Sequence, residues 1–208
     1  MGLFDNFGNA LDIFTNTKQE DVDAIAEKAG ISSSKVSSIL AAGLPLILKA
    51  INRNNQTDEG LSSFDKALND HANDKSYGSV KDYVNGRTAA DEEDGDKMLG
   101  HVFQDKESII DRLAQTFDIE PAAVKRVLIL LVPVLMSYFA KEKKDKNLSP
   151  EEVKKHTEEV DKEVHQKNQD GGLFGNILDM AGGNQTQSDQ AAKDDDHGLL
   201  DSILNMFK

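Results

Sequence analysis

Residues 25–51 read IAEKAGISSSKVSSILAAGLPLILKAI, and residues 113–139 repeat their pattern as LAQTFDIEPAAVKRVLILLVPVLMSYF. The two stretches align without a gap at a constant offset of 88 residues, so that Ile31 pairs with Ile119. A unit that cannot bury its apolar face alone can bury it against a copy of itself. The repeat therefore predicts a duplicated core, with copies at 22–51 and 110–139. The other identical pairs include Ala26 with Ala114, Val36 with Val124, Leu40 with Leu128, and Pro45 with Pro133.

Each copy carries the signals of a helix pair. Thr17 and Glu20 form a capping box for a helix over 18–29, and Gly30 is placed to end it in the left-handed conformation. Ser32 is the predicted N-cap of the second helix. In the other copy, Pro121 stands at the first helical position.

Both second helices contain a proline, Pro45 or Pro133, among residues that are apolar on all sides. A proline inside a helix removes a backbone hydrogen bond and crowds the preceding turn, so each helix is expected to kink or break there. Helices that are apolar all round belong in a core. We therefore predict that these two helices pack against each other at the centre of the fold.

The connection between the copies predicts further helices and no sheet, because nothing alternates with period two over a useful length. Thr57 can cap one of these helices, and Gly86 ends a shorter one. The segment DEEDGD, 91–96, is predicted to be an acidic loop. The apolar positions of the four helices are Leu61, Phe64, Ala67 and Leu68; Val80, Tyr83 and Val84; Met98, Leu99, Val102 and Phe103; and Ile109, Ile110, Leu113 and Phe117.

Beyond residue 141 the sequence becomes polar. Ser149 and Glu152 begin a helix whose thin stripe of Val153, Val160 and Val164 predicts a solvated or loosely docked element. Residues 182–197 have almost nothing to bury, which predicts disorder. Two short apolar segments, GLFGNILDM from Gly172 and GLLDSILNM from Gly198, resemble each other, and we call them the docking hooks. Their candidate contact residues are Leu173, Phe174, Ile177, Leu199, Leu200 and Ile203.

The predicted fold is all-α: a duplicated helical bundle with two central proline-kinked apolar helices and a polar, partly disordered C-terminal tail. Residues 1–17 form an N-terminal amphipathic segment, 18–141 the core domain, and 142–208 a charged helix and flexible tail. The hooks either fold back on the core or bind in trans, and both alternatives stay open.

Composition excludes several classes of function. The formal charge of −13 opposes binding to nucleic acid or to an anionic membrane. The absence of cysteine excludes disulfides and thiolate catalysis. The longest apolar run, 127–140, is shorter than the roughly 20 residues of a membrane span, and the N-terminus lacks the pattern of a secretory signal. We expect a cytoplasmic location.

The segment at residues 21–40, DVDAIAEKAGISSSKVSSIL, looks like the helix-turn-helix of lactose-repressor-type regulators. A recognition helix needs donors for bases and cations for phosphates. In this interpretation the recognition helix runs from Ser32 to Leu40, and Lys35 is its only cation, although the second copy adds Lys125 and Arg126. A DNA-binding regulator is therefore the alternative, and a common packing unit is the favoured interpretation.

No pattern in the chain indicates an enzyme, a cofactor or a metal. The acidic segment fails the EF-hand spacing, since Ala90 and His101 would stand at ligand positions. We expect His101 to be partly buried and hydrogen-bonded, and His156 and His165 to be solvated. GxSxG, HExxH and a phosphate-binding glycine loop do not occur. No small-molecule substrate is predicted.

The segment GDKMLGHVFQDKESI, 95–109, together with ILAAGLPLILKAINRN and VLILLVPVLMSYFAKEK, resembles the bacterial domain-of-unknown-function family 937, which is related to the YidB-like group. The resemblance covers roughly residues 20–145. Gln104 departs from it by replacing a usual glycine, which puts a tight turn there in doubt. The resemblance implies a small all-helical bacterial protein with no assigned catalytic residues. Its candidate motif residues are Gly95, Leu99, Gly100, His101 and Phe103.

These observations favour a non-enzymatic protein that acts through a protein partner or through self-association, as an interaction or scaffolding module. The predicted contacts lie in the hooks.

Overall fold

The computed structural model describes residues 18–71, 80–86 and 89–169, and these residues contain helices and no strand. The predicted all-α class is confirmed. The helices are α1 (Gln19–Ala29), α2 (Ser33–Asn54), α3 (Asp58–His71), α4 (Val80–Asn85), α5 (Ala89–Val102), α6 (Lys106–Phe117), α7 (Pro121–Lys146) and α8 (Pro150–Gln169).

The turns of the two helix pairs use the same backbone bonds at the offset of 88 residues. The N–H groups of Gly30 and Ile31 donate to the carbonyl of Ala26 at 2.8 and 3.1 Å. In the second pair, the N–H groups of Asp118 and Ile119 donate to the carbonyl of Ala114. Gly30 and Asp118 are both left-handed, with φ of 73° and 51°. The matching sequence positions therefore share a helix-ending geometry.

The predicted starts of the second helices are confirmed. The Ser32 hydroxyl accepts from the N–H of Lys35, and Pro121 is the first residue of α7. The start of α1 differs, because the helix begins at Gln19 with Lys18 as an N-cap that makes no side-chain bond. Thr17, the predicted cap, lies outside the described residues.

The central pair α2 and α7 forms the core. α2 runs through Pro45 and α7 through Pro133 as continuous helices, so neither breaks at its proline; a kink stays a prediction. The two helices cross closely at Gly43, where an added Cβ would meet Leu128 Cδ2 at 3.1 Å and Leu131 Cδ2 at 3.5 Å. Gly43 and Leu131 hold equivalent positions in the two stretches, as expected if a two-fold axis relates them. That symmetry stays a prediction.

The remaining helices surround this pair. α1, α3, α5 and α6 pack against α7, and α4 packs against α1. The carboxylate of Asp21, a residue that is 4% exposed, accepts a hydrogen bond from the N–H of Lys81 at 2.7 Å. It thus provides a partner for a backbone N–H group in the first turn of α4. Thr57 caps α3 through the N–H of Gly60 at 3.1 Å, as predicted.

The predicted acidic loop at 91–96 is wrong, because these residues are part of α5. Asp91 and Glu92 lie in the first turn, where negative charge is favourable to the helix dipole. Lys97 Nζ lies 2.9 Å from a Glu93 carboxylate oxygen and 3.5 Å from that of Asp94, which relieves repulsion between the acidic side chains. The composition of this segment, taken without the ion pairs of its side chains, thus wrongly predicted a loop where the chain is helical.

Of the two alternatives for α8, a solvated element or a loosely docked one, the solvated alternative is wrong. Val153, Val160 and Val164 are at most 3% exposed, and Thr157 between them is fully buried. α8 packs against α2, α3 and α7, so the described packed body continues past residue 141. The helix start is as predicted, since Ser149 and Glu152 exchange side chain to backbone hydrogen bonds of 2.8 and 3.3 Å.

The burial of α8 predicts that Val160→Asp destabilises the protein, because the substitution places a carboxylate in an apolar contact. We expect the free energy of unfolding to fall by about 2–4 kcal/mol, measured by urea denaturation with circular dichroism. Lys162→Asp adds a carboxylate to an exposed position of the same helix and serves as the control. Equal effects of the two substitutions would contradict the docking of α8.

Candidate functional site

The residues of the family-like motif lie at the end of α5 and divide between two faces. Leu99 and Phe103 are at most 2% exposed, and Gly95 is also buried. Gly100 and His101 are exposed. The expectation that His101 is partly buried is wrong, because it lies on the outer face of the helix. The motif is thus mainly a packing element.

The end of α5 is fixed by hydrogen bonds. Asn54 Nδ2 donates to the carbonyls of His101 and Val102 at 3.2 and 3.1 Å. Asp105 caps α6, accepting from the N–H of Ser108 at 3.2 Å and from its hydroxyl at 2.6 Å, and these bonds lower the pKa of the Asp105 carboxyl. The short turn at 103–105 therefore forms even though Gln104 is not glycine.

Asp96 joins three helices. Its carboxylate on α5 lies 2.8 Å from Lys106 Nζ of α6 and 2.9 Å from Lys125 Nζ of α7. Hydrogen bonds from Lys106 and then Lys125 hold the pKa of Asp96 below its usual value. A carboxylate whose two oxygens each face an ammonium group is a poor metal ligand, because a metal ion would have to displace or repel these cations. Among the described residues, no group of three or more His, Asp or Glu side chains is placed to hold a metal ion.

The cations of the helix-turn-helix-like segments are bonded within the protein. Arg126 of α7 donates from Nε and from its terminal nitrogen to the carbonyl of Ala29, at 3.0 and 2.8 Å. Lys35 of α2 donates to the carbonyl of Asp118. Each cation thus satisfies the C-terminal end of the first helix of the other copy. Sequence reasoning named these cations but could not find their acceptors, which lie 83 and 97 residues away.

His156 belongs to a cluster that the sequence reasoning missed. It was expected to be solvated, but its side chain is only 19% exposed. Its ring centroid lies 6.1 and 6.0 Å from those of Tyr138 and Phe139. Nε2 lies 3.3 Å from a Glu142 carboxylate oxygen and 3.4 Å from the Tyr138 hydroxyl. Its position three residues after Val153, beside the buried stripe of α8, was the available signal.

The contacts of His156 are not those of a catalytic relay. Both polar partners address the same ring nitrogen, whereas a nucleophilic relay requires partners on the two different nitrogens. Burial lowers the pKa of His156, and the nearby Glu142 carboxylate opposes that shift. The folded protein thus favours the neutral ring more than it would at a fully exposed histidine.

Some predicted site residues lie outside the described residues. These are all of the candidate hook residues, Leu173, Phe174, Ile177, Leu199, Leu200 and Ile203, and also the side chain of His165.

Two helices, α2 and α7, are long and apolar enough to cross a membrane by length and composition alone. Their most apolar windows are 72% and 78% buried inside the protein, as in the core helices of soluble proteins. Length by itself therefore does not exclude a span, contrary to the argument from the run at 127–140.

Comparison with protein families gives a match over more than half of the chain. A family model described as "Bacterial protein of unknown function (DUF937)" matches residues 12–142, which include α1 to α6 and most of α7. No curated protein and no solved structure matches the chain.

The ion pairs of Asp96 predict a pH-dependent contribution to stability. Its folded-state pKa lies below the ordinary value of 3.8, so the contribution is complete well above that pH and is lost as the pH falls below it. We expect Asp96→Asn to lower the free energy of unfolding by about 1 kcal/mol at pH 7 and by less at pH 3. Urea denaturation at both pH values measures this, with the exposed Asp111→Asn as control. A loss that is equal at both pH values would contradict the role of the carboxylate.

The bonds from Arg126 predict that Arg126→Ala destabilises the protein by about 1 kcal/mol, because the Ala29 carbonyl at the end of α1 loses both of its side-chain donors. Arg126→Lys should recover part of the loss, since it keeps one donor. The control is Arg112→Ala, an exposed arginine on α6. Chemical denaturation of the three variants tests the contact, and equal stabilities for Arg126→Ala and Arg112→Ala would show that it contributes nothing.

Proposed function

Because this chain belongs to DUF937, a family of bacterial proteins of unknown function, we propose a function from its own residues: it is a non-enzymatic, cytoplasmic module for protein interaction or scaffolding. It takes no cofactor and no small-molecule substrate. Its partner is another protein or a second copy of the chain.

One observation supports this proposal. A nucleic-acid or metal site would need charged side chains, and in this protein those side chains hold helices together. Lys35 and Arg126 bind helix ends, and Lys125 is paired with Asp96. A DNA-binding helix-turn-helix needs such cations free to reach phosphates. The engagement of all three supports an interaction module over the alternative of a DNA-binding regulator, as does the net charge of −13.

The docking hooks supply the proposed contacts. Leu173, Phe174 and Ile177 have the same spacing as Leu199, Leu200 and Ile203. Two segments of one pattern on one tail can engage two sites together, and the effective concentration set by the connecting chain strengthens the second contact. Their apolar residues occur in an otherwise polar tail, which favours recognition by burial of these few side chains.

Crosslinking mass spectrometry in cells tests the proposal. We expect amine crosslinks from Lys193 and Lys208, which flank the second hook, to join the tail to a partner or to a second copy. The double substitution Leu173→Asp and Leu199→Asp should abolish these crosslinks, because a carboxylate opposes burial of the hook.

The matched control, Gln185→Asp with Gln190→Asp, adds the same charge between the hooks and should keep the crosslinks. Retention of all crosslinks by the hook variant would refute a role of the hooks in binding.

A further inference from the structure

The described body leaves almost no apolar surface uncovered. Among residues 18–71, 80–86 and 91–164, whose side chains the structure describes, the only exposed apolar residues are Pro121 and Ala122 in the first turn of α7. The half-buried apolar side chains lie on different helices, and most of them pack against the core. This part of the chain therefore offers no exposed apolar face of the size that a docking hook would cover.

The surroundings of the first hook are charged. The hook begins at Gly172, three residues after α8 ends at Gln169, so the connection spans about 10 Å even when fully extended. The exposed side chains in the last turns of α8 whose burial is described are those of Glu159, Lys162 and Glu163. The valine stripe of α8 is already buried. The outer face of α8 thus gives the first hook no apolar partner.

A third segment shares the pattern of the hooks. Residues 2–10 read GLFDNFGNA, beside GLFGNILDM at 172–180 and GLLDSILNM at 198–206. In each segment, large apolar residues occur at i, i+1 and i+4, a spacing that is typical of one face of a helix. All three segments lie outside residues 12–142, which the family model matches. The matching positions are Leu3, Phe4 and Phe7; Leu173, Phe174 and Ile177; and Leu199, Leu200 and Ile203.

Each of the three segments is nearly neutral. Each contains one acidic residue, which is Asp5, Asp179 or Asp201, and none contains lysine or arginine. Attachment to an anionic membrane requires cations beside the apolar residues, and these segments have none. Two such segments can meet with little repulsion, although the whole chain carries a charge of −13.

We propose that the three segments bind their counterparts on a second copy of the chain, so that the protein self-associates through its ends. This inference rests on the proposed function, because it names the partner of the hooks. Isolated helices below about 12–15 residues are marginal in water, so two nine-residue segments of one tail bury too little to hold together alone. The segments of two copies bury more, and the connecting chain raises the effective concentration of the second hook once the first is bound.

Sedimentation velocity of the full chain over a concentration series tests the proposal. We expect the mass to rise with concentration from that of one chain, 22.8 kDa, to twice that value. The double substitution Leu173→Asp and Leu199→Asp should weaken the association by at least about a hundredfold, because it places carboxylates in apolar contacts. Leu3→Asp should weaken it as well.

The control Gln185→Asp with Gln190→Asp adds the same charge as the double hook substitution, between the hooks, and should associate like the wild type. Circular dichroism should show the same thermal unfolding for all variants, since the substitutions lie outside the described body. Raising NaCl from about 50 to about 500 mM should not weaken the association, because salt screens the repulsion between acidic bodies and leaves apolar contacts intact.

Contacts between copies can be identified directly. In a mixture of ¹⁵N-labelled and unlabelled chains, we expect amine crosslinks from Lys193 and Lys208 to join one labelled and one unlabelled chain. The double hook substitution should remove these mixed crosslinks.

A wild type that stays monomeric throughout the series would overturn the inference, as would association of the double hook variant or of Leu3→Asp that equals that of the wild type. A monomeric wild type whose hooks are crosslinked to a different protein in cells would overturn this inference and leave the proposed function standing. The proposed function itself fails only if the hook variant keeps all of its crosslinks in cells.

Discussion

The structure depends on the close approach of α2 and α7. Both helices are apolar on nearly every side, so neither can face water, and each is buried against the other and against the helices around them. Gly43 favours this close crossing, because a Cβ there would lie 3.1 Å from Leu128 Cδ2, which is tighter than an ordinary contact. The surrounding amphipathic helices complete the burial of this pair and place their polar faces outward.

Charged residues fasten the edges of that core. Helix ends leave backbone carbonyls without partners, and Arg126 and Lys35 satisfy such carbonyls across the two helix pairs. Asp96 draws α5, α6 and α7 together through two lysines. A helix pair that resembles a DNA reader in sequence thus uses its cations for architecture. Residues 1–11 and 143–208, which include α8, lie outside the matched domain.

The motif by which the chain resembles its family contains both buried and exposed residues. Leu99 and Phe103 are buried, whereas His101 points to the surface. A helical period places these residues on opposite faces, but the sequence does not say which face is covered. His156 shows the converse case. It stands in a helix rich in charge, and its burial comes from Tyr138 and Phe139 on another helix.

The sequence by itself determined the features that depend on residues a few positions apart: the helical class, the caps at Ser32, Thr57 and Ser149, the turn at Gly30, and the apolar character of the two central helices. These are local, since a cap bonds within three or four residues. Tertiary structure decided that α8 is docked and that Arg126 binds Ala29. Burial and hydrogen bonding in these cases join residues far apart in the chain, and single-sequence periodicity carries no information about which distant surfaces meet.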